Sequence, residues 1–196
     1  ELFSRHGTEI VQASIRALHD RAETQMRAAL AKLPPGRYEG EDWLDDDGSS
    51  AEAIAVRVRI DIGDDRATFD FSATDDATRG PVNTTPYIAA ASVFYAIKAL
   101  VGPEIQPNGG CYRPLSVVTR PGSLLQPEPE RPVVGGNHET SQRIVDAIFR
   151  ALEPAVAERL SAGGPTTSGL LLFGGKRDDG VWTTLYETHG GGEGAR

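Results

Sequence analysis

The run "GGNHETSQR", residues 135–143, places seven polar side chains in a row directly after a glycine pair. A helical pattern follows, with Ile144, Ile148 and Leu152 on one side. The first turn of a helix has unpaired backbone N–H groups and partial positive charge, so it can bind an anionic substrate or intermediate. The same residues could instead cap the helix, because Asn, Thr and Ser oxygens accept bonds from those N–H groups. This run alone leaves both interpretations open.

Several other runs come close to a catalytic motif and miss it. His138 and Glu139 lack the second histidine of the zinc-protease helix signature, because Gln142 stands at that position. In "GLLLFGGKR" the lysine comes one place late for a phosphate-binding loop, and an arginine replaces the required Ser or Thr. Ser168 lacks the Gly-x-Ser-x-Gly elbow of serine hydrolases. The sequence therefore supports neither a zinc protease, nor ATP binding by this chain, nor a serine hydrolase.

Three further features allow both a structural and a functional interpretation. Glu187 and His189 stand two apart on a predicted strand and would face one side, as two metal ligands or as solvated residues. Two residues do not make a metal centre, and we assign none. The acidic run "WLDDDGSS" lacks the spaced oxygens of a calcium loop, which favours an acidic turn. The final "GGGEGAR" would cradle an anion through its backbone N–H groups or form a flexible loop.

Hydrophobic periodicity predicts the elements that must position these side chains. We predict helices over residues 8–33, 84–101 and 141 to about 160, a β-hairpin around residues 63–65, a short strand in "PLSVVT", and final strands in "GLLLFGG" and "VWTTLYETH". This order indicates a mixed α/β (α+β) fold, with helices packed on hairpins or a mixed sheet. We expect residues 1–196 to form a single domain, the central fragment of a larger subunit, since the chain starts without Met and in the middle of a pattern.

Composition limits the class of protein. With 196 residues, 39% of them hydrophobic, the chain can bury a core. The net charge is −8, and residues 37–80 hold 13 acids against 5 bases, which leaves no basic face for nucleic acid. Cys111 is the one cysteine, so an internal disulfide is excluded and a reducing cytoplasm fits best. No apolar run is long enough to cross a bilayer, and we expect no membrane partner.

Five runs occur in the order and at about the spacing of one known family. They are "LPPGRYEGEDWLDDDG", "FDFSATDDATRGPVN", "NGGCYRPLSVVTRPGSLLQP", "VVGGNHETSQRIVDAI" and "YETHGGGEGA". With these motifs the chain resembles the hydantoinase B family, also called the B component of N-methylhydantoinase and 5-oxoprolinase. That family includes the corresponding subunit of acetone and acetophenone carboxylases. Its members are much longer than this chain, and they commonly have valine where this chain has His138.

The resemblance implies an ATP-dependent reaction on a small carbonyl compound, shared between two components of a hetero-oligomer. A separate A-type subunit, an actin-like ATPase, would bind ATP and phosphorylate the carbonyl or enol oxygen of the substrate. The B component would then complete hydrolysis of the activated cyclic amide. The resemblance implies no cofactor on this segment and a divalent metal on the upstream part of family members.

The same resemblance makes the polar run a candidate site, because a phosphorylated intermediate is anionic. The candidates are, for catalysis, Glu139, Ser141 and Arg143 and, for substrate binding, Asn83, Asn137 and Thr140. Glu139 would position or deprotonate a water molecule, whereas Asn83 is also a typical turn residue. Two alternatives stay open. One is a ketone carboxylase subunit of the same family, and the other is a scaffold or interface segment whose chemistry lies elsewhere.

Overall fold

The computed structural model describes residues 1–160 and 162–192, which fold into helices and a mixed sheet. In chain order the elements are α1 (Leu2–His6), α2 (Thr8–Leu30), β1 (Gly36–Leu44), β2 (Ile54–Ile62), β3 (Ala67–Asp70), α3 (Pro86–Val101), β4 (Leu115–Val118), α4 (Thr140–Val156), β5 (Gly169–Lys176) and β6 (Trp182–His189). Short 3-10 turns occupy Gly135–Asn137 and Ala157–Arg159. The predicted mixed α/β class is confirmed.

The main sheet has the strand order β1-β2-β3-β4. The pairs β1–β2 and β2–β3 are antiparallel, whereas β3 and β4 are parallel. Parallel neighbours need a crossover connection, and α3 lies in the one between β3 and β4. Ile62 pairs with Ala67 across the turn, which confirms the predicted hairpin. Alternate residues of β2, among them Ile60, are buried on the core side of the sheet.

The short helix α1 and the strand β1 were not predicted, and the helix boundaries differ from prediction by a few residues. Periodicity does not predict β1, because only its last residues are buried and its first half carries glycine and charged side chains. α2 ends at Leu30 rather than residue 33, since the following Pro34 disfavours helical dihedrals before it. α4 ends at Val156, whose φ of −144° and ψ of 34° are not helical, and a 3-10 turn follows.

α4 packs across β1 and β2 and beside α3. Gly40 on β1 allows this close approach, because a Cβ there would lie 2.2 Å from the carbonyl oxygen of Ala147 and 2.6 Å from the nitrogen of Ala151. The buried face of α4 includes Ile144 and Ile148, as the sequence predicts. The opposite face of the helix is left available for polar residues.

Two parts lie largely outside this core. The second half of α2 is buried at Met26 and Leu30, whereas Leu18 in its first half is 58% exposed. Strands β5 and β6 form a separate two-stranded sheet.

No helix in residues 1–160 and 162–192 combines the length and hydropathy needed to span a membrane. The single-domain assignment of residues 1–196 stays a prediction.

Candidate functional site

The α4 entrance, residues 135–143, begins with a 3-10 turn that presses its glycines against the chain before α3. A Cβ on Gly136 would lie 2.1 Å from the carbonyl oxygen of Asn83 and 2.6 Å from the Cβ of Thr84. The N–H of Gly135 donates to the carbonyl of Pro81 at 2.8 Å. Any side chain at position 136 would therefore push the entrance away from residues 81–84.

Two of the predicted substrate-binding residues hold this junction together. Thr140 is buried and its hydroxyl donates to the carbonyl of Val82. Asn83 is also fully buried: its Oδ1 accepts from the N–H of Thr78 at 2.8 Å, and its Nδ2 lies 3.0–3.1 Å from the carbonyls of Thr78, Gly80 and Pro132. Both side chains are committed to protein partners, so their contact with substrate stays a prediction.

The hydroxyl groups at the entrance do not cap the helix. The residue before α4, Glu139, makes no side-chain capping bond. Ser141 donates backwards to the carbonyl of Asn137 at 2.7 Å instead of accepting from the first turn. The capping interpretation is therefore wrong for these hydroxyl groups, and of the residues at the positive end of the helix Asn137 is exposed and Ser141 is half-buried.

Glu139 holds the linker, residues 162–168, against the α4 entrance. Its Oε2 accepts from the hydroxyl of Thr167 at 2.5 Å, and its Oε1 accepts from the N–H of Ser168 at 3.3 Å. These bonds fix the direction of the carboxylate. They also connect the residue before α4 to the segment that leads into β5.

Arg143 lies one turn further along and forms an ion pair with the buried Asp42 of β1. The Arg143 Nη1 to Asp42 Oδ2 distance is 3.3 Å, and Arg150 reaches the other oxygen of Asp42 at 3.1 Å. Arg143 Nε and the Nδ1 of His138 are both buried without a hydrogen-bond partner among the residues that the structure describes. Buried polar atoms normally find partners, so these two atoms are exceptions at the α4 entrance.

Two neighbouring cavities of about 290 Å³ and 330 Å³ lie between the outer face of α4 and the linker. Both are lined by Asp146, Phe149, Gly163, Gly164 and Thr166. Their size suits a small molecule. Thr166 has φ of 48°, a strained dihedral for a β-branched residue.

Asp146 lines both cavities and was not predicted from the sequence, whereas Arg143 is the one predicted site residue among their lining residues. Burial raises the pKa of its carboxyl group, and the nearby charge of Asp42 raises it further, while Arg143, Arg150 and a bond from Thr166 act in the opposite direction. Within the helical pattern Asp146 looks like an ordinary solvated position. The available signal is its spacing, because it follows Arg143 by three residues and so lies on the same side of the helix.

The end of β6 meets the second cavity. His189, Gly190 and Gly191 line it together with Thr167 and Ser168, so the "YETHGG" run and the α4 entrance come together around the linker. Residues 193–196 of the proposed anion cradle lie outside the described residues. Glu187 and His189 do share one face of β6, since they pair with alternate residues of β5.

No metal cluster accompanies that pair within the described ranges: nowhere do three His, Cys, Asp or Glu side chains gather as a metal would require. The described residues therefore supply no third metal ligand beside Glu187 and His189.

Asp47 of the acidic run is a structural anchor. Its Oδ1 accepts from the N–H groups of Ser49 and Ser50 at 2.8 Å, and its Oδ2 accepts from the N–H of Gly80 at 2.8 Å. These bonds hold the pKa of the Asp47 carboxyl well below its usual range. The arrangement agrees with an acidic turn, and it ties that turn to the segment that supports the α4 entrance.

The sequence of the chain is similar to one family of proteins along its whole length. A family model described as hydantoinase B/oxoprolinase matches residues 1–196. The chain is 31% identical to 5-oxoprolinase 1 of Arabidopsis thaliana over 209 residues, which cover 100% of this chain and 15% of that protein. It is 28% identical to the beta subunit of the caprolactamase of Pseudomonas jessenii, with 89% of this chain and 30% of that subunit covered.

Two solved structures have the same fold. The crystal structure of the ATP-dependent caprolactamase from Pseudomonas jessenii matches with a TM-score of 0.82 and 26% identity, over 95% of this chain and 32% of that one. A nucleotide-free acetone carboxylase matches with a TM-score of 0.81 over 97% of this chain and 28% of that one, but at 15% identity, which shows the fold alone. The chain thus spans a third or less of the length of each of these relatives. Because the family model covers the chain from end to end, this protein belongs to the hydantoinase B/oxoprolinase family.

Proposed function

We propose that this chain is a catalytic segment of the B-type component of an ATP-dependent hydrolase that acts on cyclic amides. The observation that carries the proposal is the pattern of identity: 31% to a 5-oxoprolinase and 28% to a caprolactamase subunit, each over most of the chain. The carboxylase shares the fold at only 15% identity. Hydrolysis is therefore favoured over carboxylation.

The proposed reaction has two stages on two subunits. An A-type ATPase partner phosphorylates the carbonyl oxygen of the amide, because an unactivated amide is a poor electrophile. On the B-type component a water molecule adds to the activated carbon, and the ring C–N bond breaks as the nitrogen takes a proton. A second water hydrolyses the resulting acyl phosphate, which releases the ring-opened carboxylate and inorganic phosphate. The caprolactamase relative is named as a beta subunit, which supports a hetero-oligomer of this kind.

Within this component we assign the α4 entrance to the intermediate. Glu139 positions or deprotonates the attacking water, with its carboxylate aimed by Thr167 and Ser168. Arg143 contributes positive charge and the exposed Asn137 contributes amide donors for the anionic group, while Ser141 would first have to release the carbonyl of Asn137. The adjacent cavities supply room for a small cyclic amide.

A second candidate is a scaffold role, and one observation favours it. Asn83, Thr140 and Ser141 all use their side chains for bonds to protein carbonyls, and Arg143 pairs with Asp42. If the polar run serves only to make these contacts, the catalytic residues lie on other parts of the subunit.

The test of the proposed function is ATP hydrolysis by the full-length component mixed with its A-type partner. Hydantoin, N-methylhydantoin, 5-oxoproline, caprolactam and acetone are each supplied with and without bicarbonate. We expect ATP turnover that depends on a cyclic amide and not on bicarbonate. Strict dependence on bicarbonate with acetone would instead assign the protein to the carboxylases, and no substrate-dependent turnover would reject both enzymatic assignments.

A further inference from the structure

The hairpin formed by β5 and β6 exposes an unusual amount of apolar surface. Seven large apolar side chains in its two strands are between 38% and 64% exposed: Leu170, Leu171, Leu172, Phe173, Trp182, Leu185 and Tyr186. Every residue of both strands is exposed. Contiguous apolar patches of this kind mark interaction surfaces in folded proteins.

The apolar residues lie on both faces of the hairpin. Directly paired residues of an antiparallel ladder share a face, and adjacent pairs alternate. Leu172 pairs with Tyr186 on one face, whereas Phe173 pairs with Leu185 on the other. A hairpin that simply rested on a core would need only one apolar face, so this pattern is typical of strands covered on two sides.

Within residues 1–160 and 162–192 no further strand pairs with the edges of the hairpin. One side of each strand therefore carries backbone groups that no described strand pairs with. Isolated two-stranded hairpins are at best marginally stable in water. Its attachment to the core runs through the linker, which Glu139 holds at Thr167 and Ser168.

We infer that in the complete subunit β5 and β6 are inner strands of a larger β-layer, covered on both faces by other parts of the same polypeptide. This inference concerns assembly and does not depend on the reaction proposed above. The strands carry only Lys176 and Glu187 as charged side chains, as expected for a permanent interior rather than a transient, polar interface.

Two observations favour the same polypeptide over a second copy. A symmetric dimer brings one identical patch of each copy together, so it would cover a single face and leave the other in water. The relatives have ample further chain, since the matched stretch is 15% of the Arabidopsis 5-oxoprolinase and 30% of the caprolactamase subunit. Covering both faces and both edges requires several additional segments, which a long single chain provides.

Hydrogen exchange on the full-length subunit tests this inference directly. Peptides covering residues 169–176 and 182–189 are followed in the subunit alone, at two protein concentrations tenfold apart, and after addition of the A-type partner. We expect their cross-strand amides to exchange at least about 100-fold more slowly than an unstructured reference in every sample, because buried strands open rarely.

Three results would overturn the inference. Exchange near the unstructured rate in all samples would mean that nothing covers the hairpin. Protection that grows with protein concentration would assign the surface to a second copy, and protection that needs the A-type partner would assign it to that subunit.

Charged substitutions on each face provide an independent check. Leu172→Asp and Phe173→Asp place a carboxylate on opposite faces, and Val181→Asp, in the turn before β6, is the matched control. We expect both strand variants to lower the thermal midpoint of the full-length subunit by several degrees and the control to leave it nearly unchanged. Destabilisation by only one of the two strand variants would contradict burial on both faces.

Discussion

The fold shifts the pKa values of two carboxyl groups, those of Asp47 and Asp146, in opposite directions. Bonds from Gly80, Ser49 and Ser50 lower the pKa of Asp47, whereas burial beside the cavities raises the pKa of Asp146. A pKa that differs between the folded and unfolded states makes stability depend on pH. Substitution of the two residues should therefore change stability with opposite signs.

Asp47→Asn is expected to destabilise the protein at neutral pH. The folded pKa of Asp47 lies below its unfolded value, so its stabilising effect is present above the usual carboxyl pKa and is lost as pH falls through the folded pKa. The difference in free energy of unfolding between wild type and Asp47→Asn should thus shrink below about pH 4. Urea unfolding between pH 3 and pH 8 measures it, and a difference that does not depend on pH would contradict the assignment.

Asp146→Asn is expected to stabilise the protein at neutral pH. Its folded pKa is raised, so ionisation above that pKa costs stability, and the cost disappears once pH falls below the unfolded value. The gain from the substitution should be largest at pH 7 to 8 and vanish in acid. The same titration series applies, with Asp64→Asn at the exposed β2–β3 turn as control. Loss of stability in Asp146→Asn at pH 8 would show that its carboxylate makes favourable contacts in the folded state.

The sequence locates the polar run but not the partners of its side chains. A helix entrance is encoded locally by glycines followed by polar residues, so the site could be predicted there. The partner of Glu139 is 28 positions away, and that of Arg143 is 101 positions away. Such contacts depend on the packing of α4 against β1 and on the path of the linker, which local composition does not specify.

At the scale of elements, α4 is positioned by the segment before α3. Asn83 and Thr140 bond across the junction, and Gly136 allows the two backbones to touch. The orientation of the α4 entrance should therefore depend on these contacts more than on helix propensity.

Asn83→Ala is expected to destabilise the protein by about 3 kcal/mol or more, because it leaves several buried backbone groups without a partner. Asn137→Ala is the matched control, since the same residue type is exposed at the same entrance, and it should cost little. Chemical unfolding of both variants measures the contrast. Similar costs for the two would show that Asn83 is not the anchor of this junction.

Strongly periodic elements could be predicted from the sequence, and β1 could not. The face of α4 that carries Ile144 and Ile148 and the β2–β3 hairpin follow patterns with a single period. β1 pairs along its whole length with β2, but its charged first half gives no alternation. Its place in the sheet comes from that pairing and from Gly40 beneath α4, which are properties of the tertiary structure.

At the scale of the whole molecule, a single core is flanked by two projecting parts. The core joins the four-stranded sheet with the second half of α2, α3 and α4. The first half of α2, with Leu18 exposed, and the β5–β6 hairpin both extend beyond it. The two cavities and the α4 entrance lie on the side where the linker leaves for the hairpin. This arrangement fits a segment that shares a site with neighbouring parts of a larger subunit.

Glu139 either acts in the reaction or only holds the linker, and the proposed function depends most on which of the two is true. The direct measurement is the rate at which full-length Glu139→Gln, mixed with its A-type partner, forms ring-opened product from the cyclic amide that wild type prefers. Glu104→Gln, an exposed position remote from α4 in sequence, is the control, and thermal unfolding verifies the fold of both. We predict a fall of about 100-fold in product formation by Glu139→Gln with an unchanged thermal midpoint, as expected for loss of a general base. Product formation within twofold of wild type would contradict the account and leave the α4 entrance a structural junction.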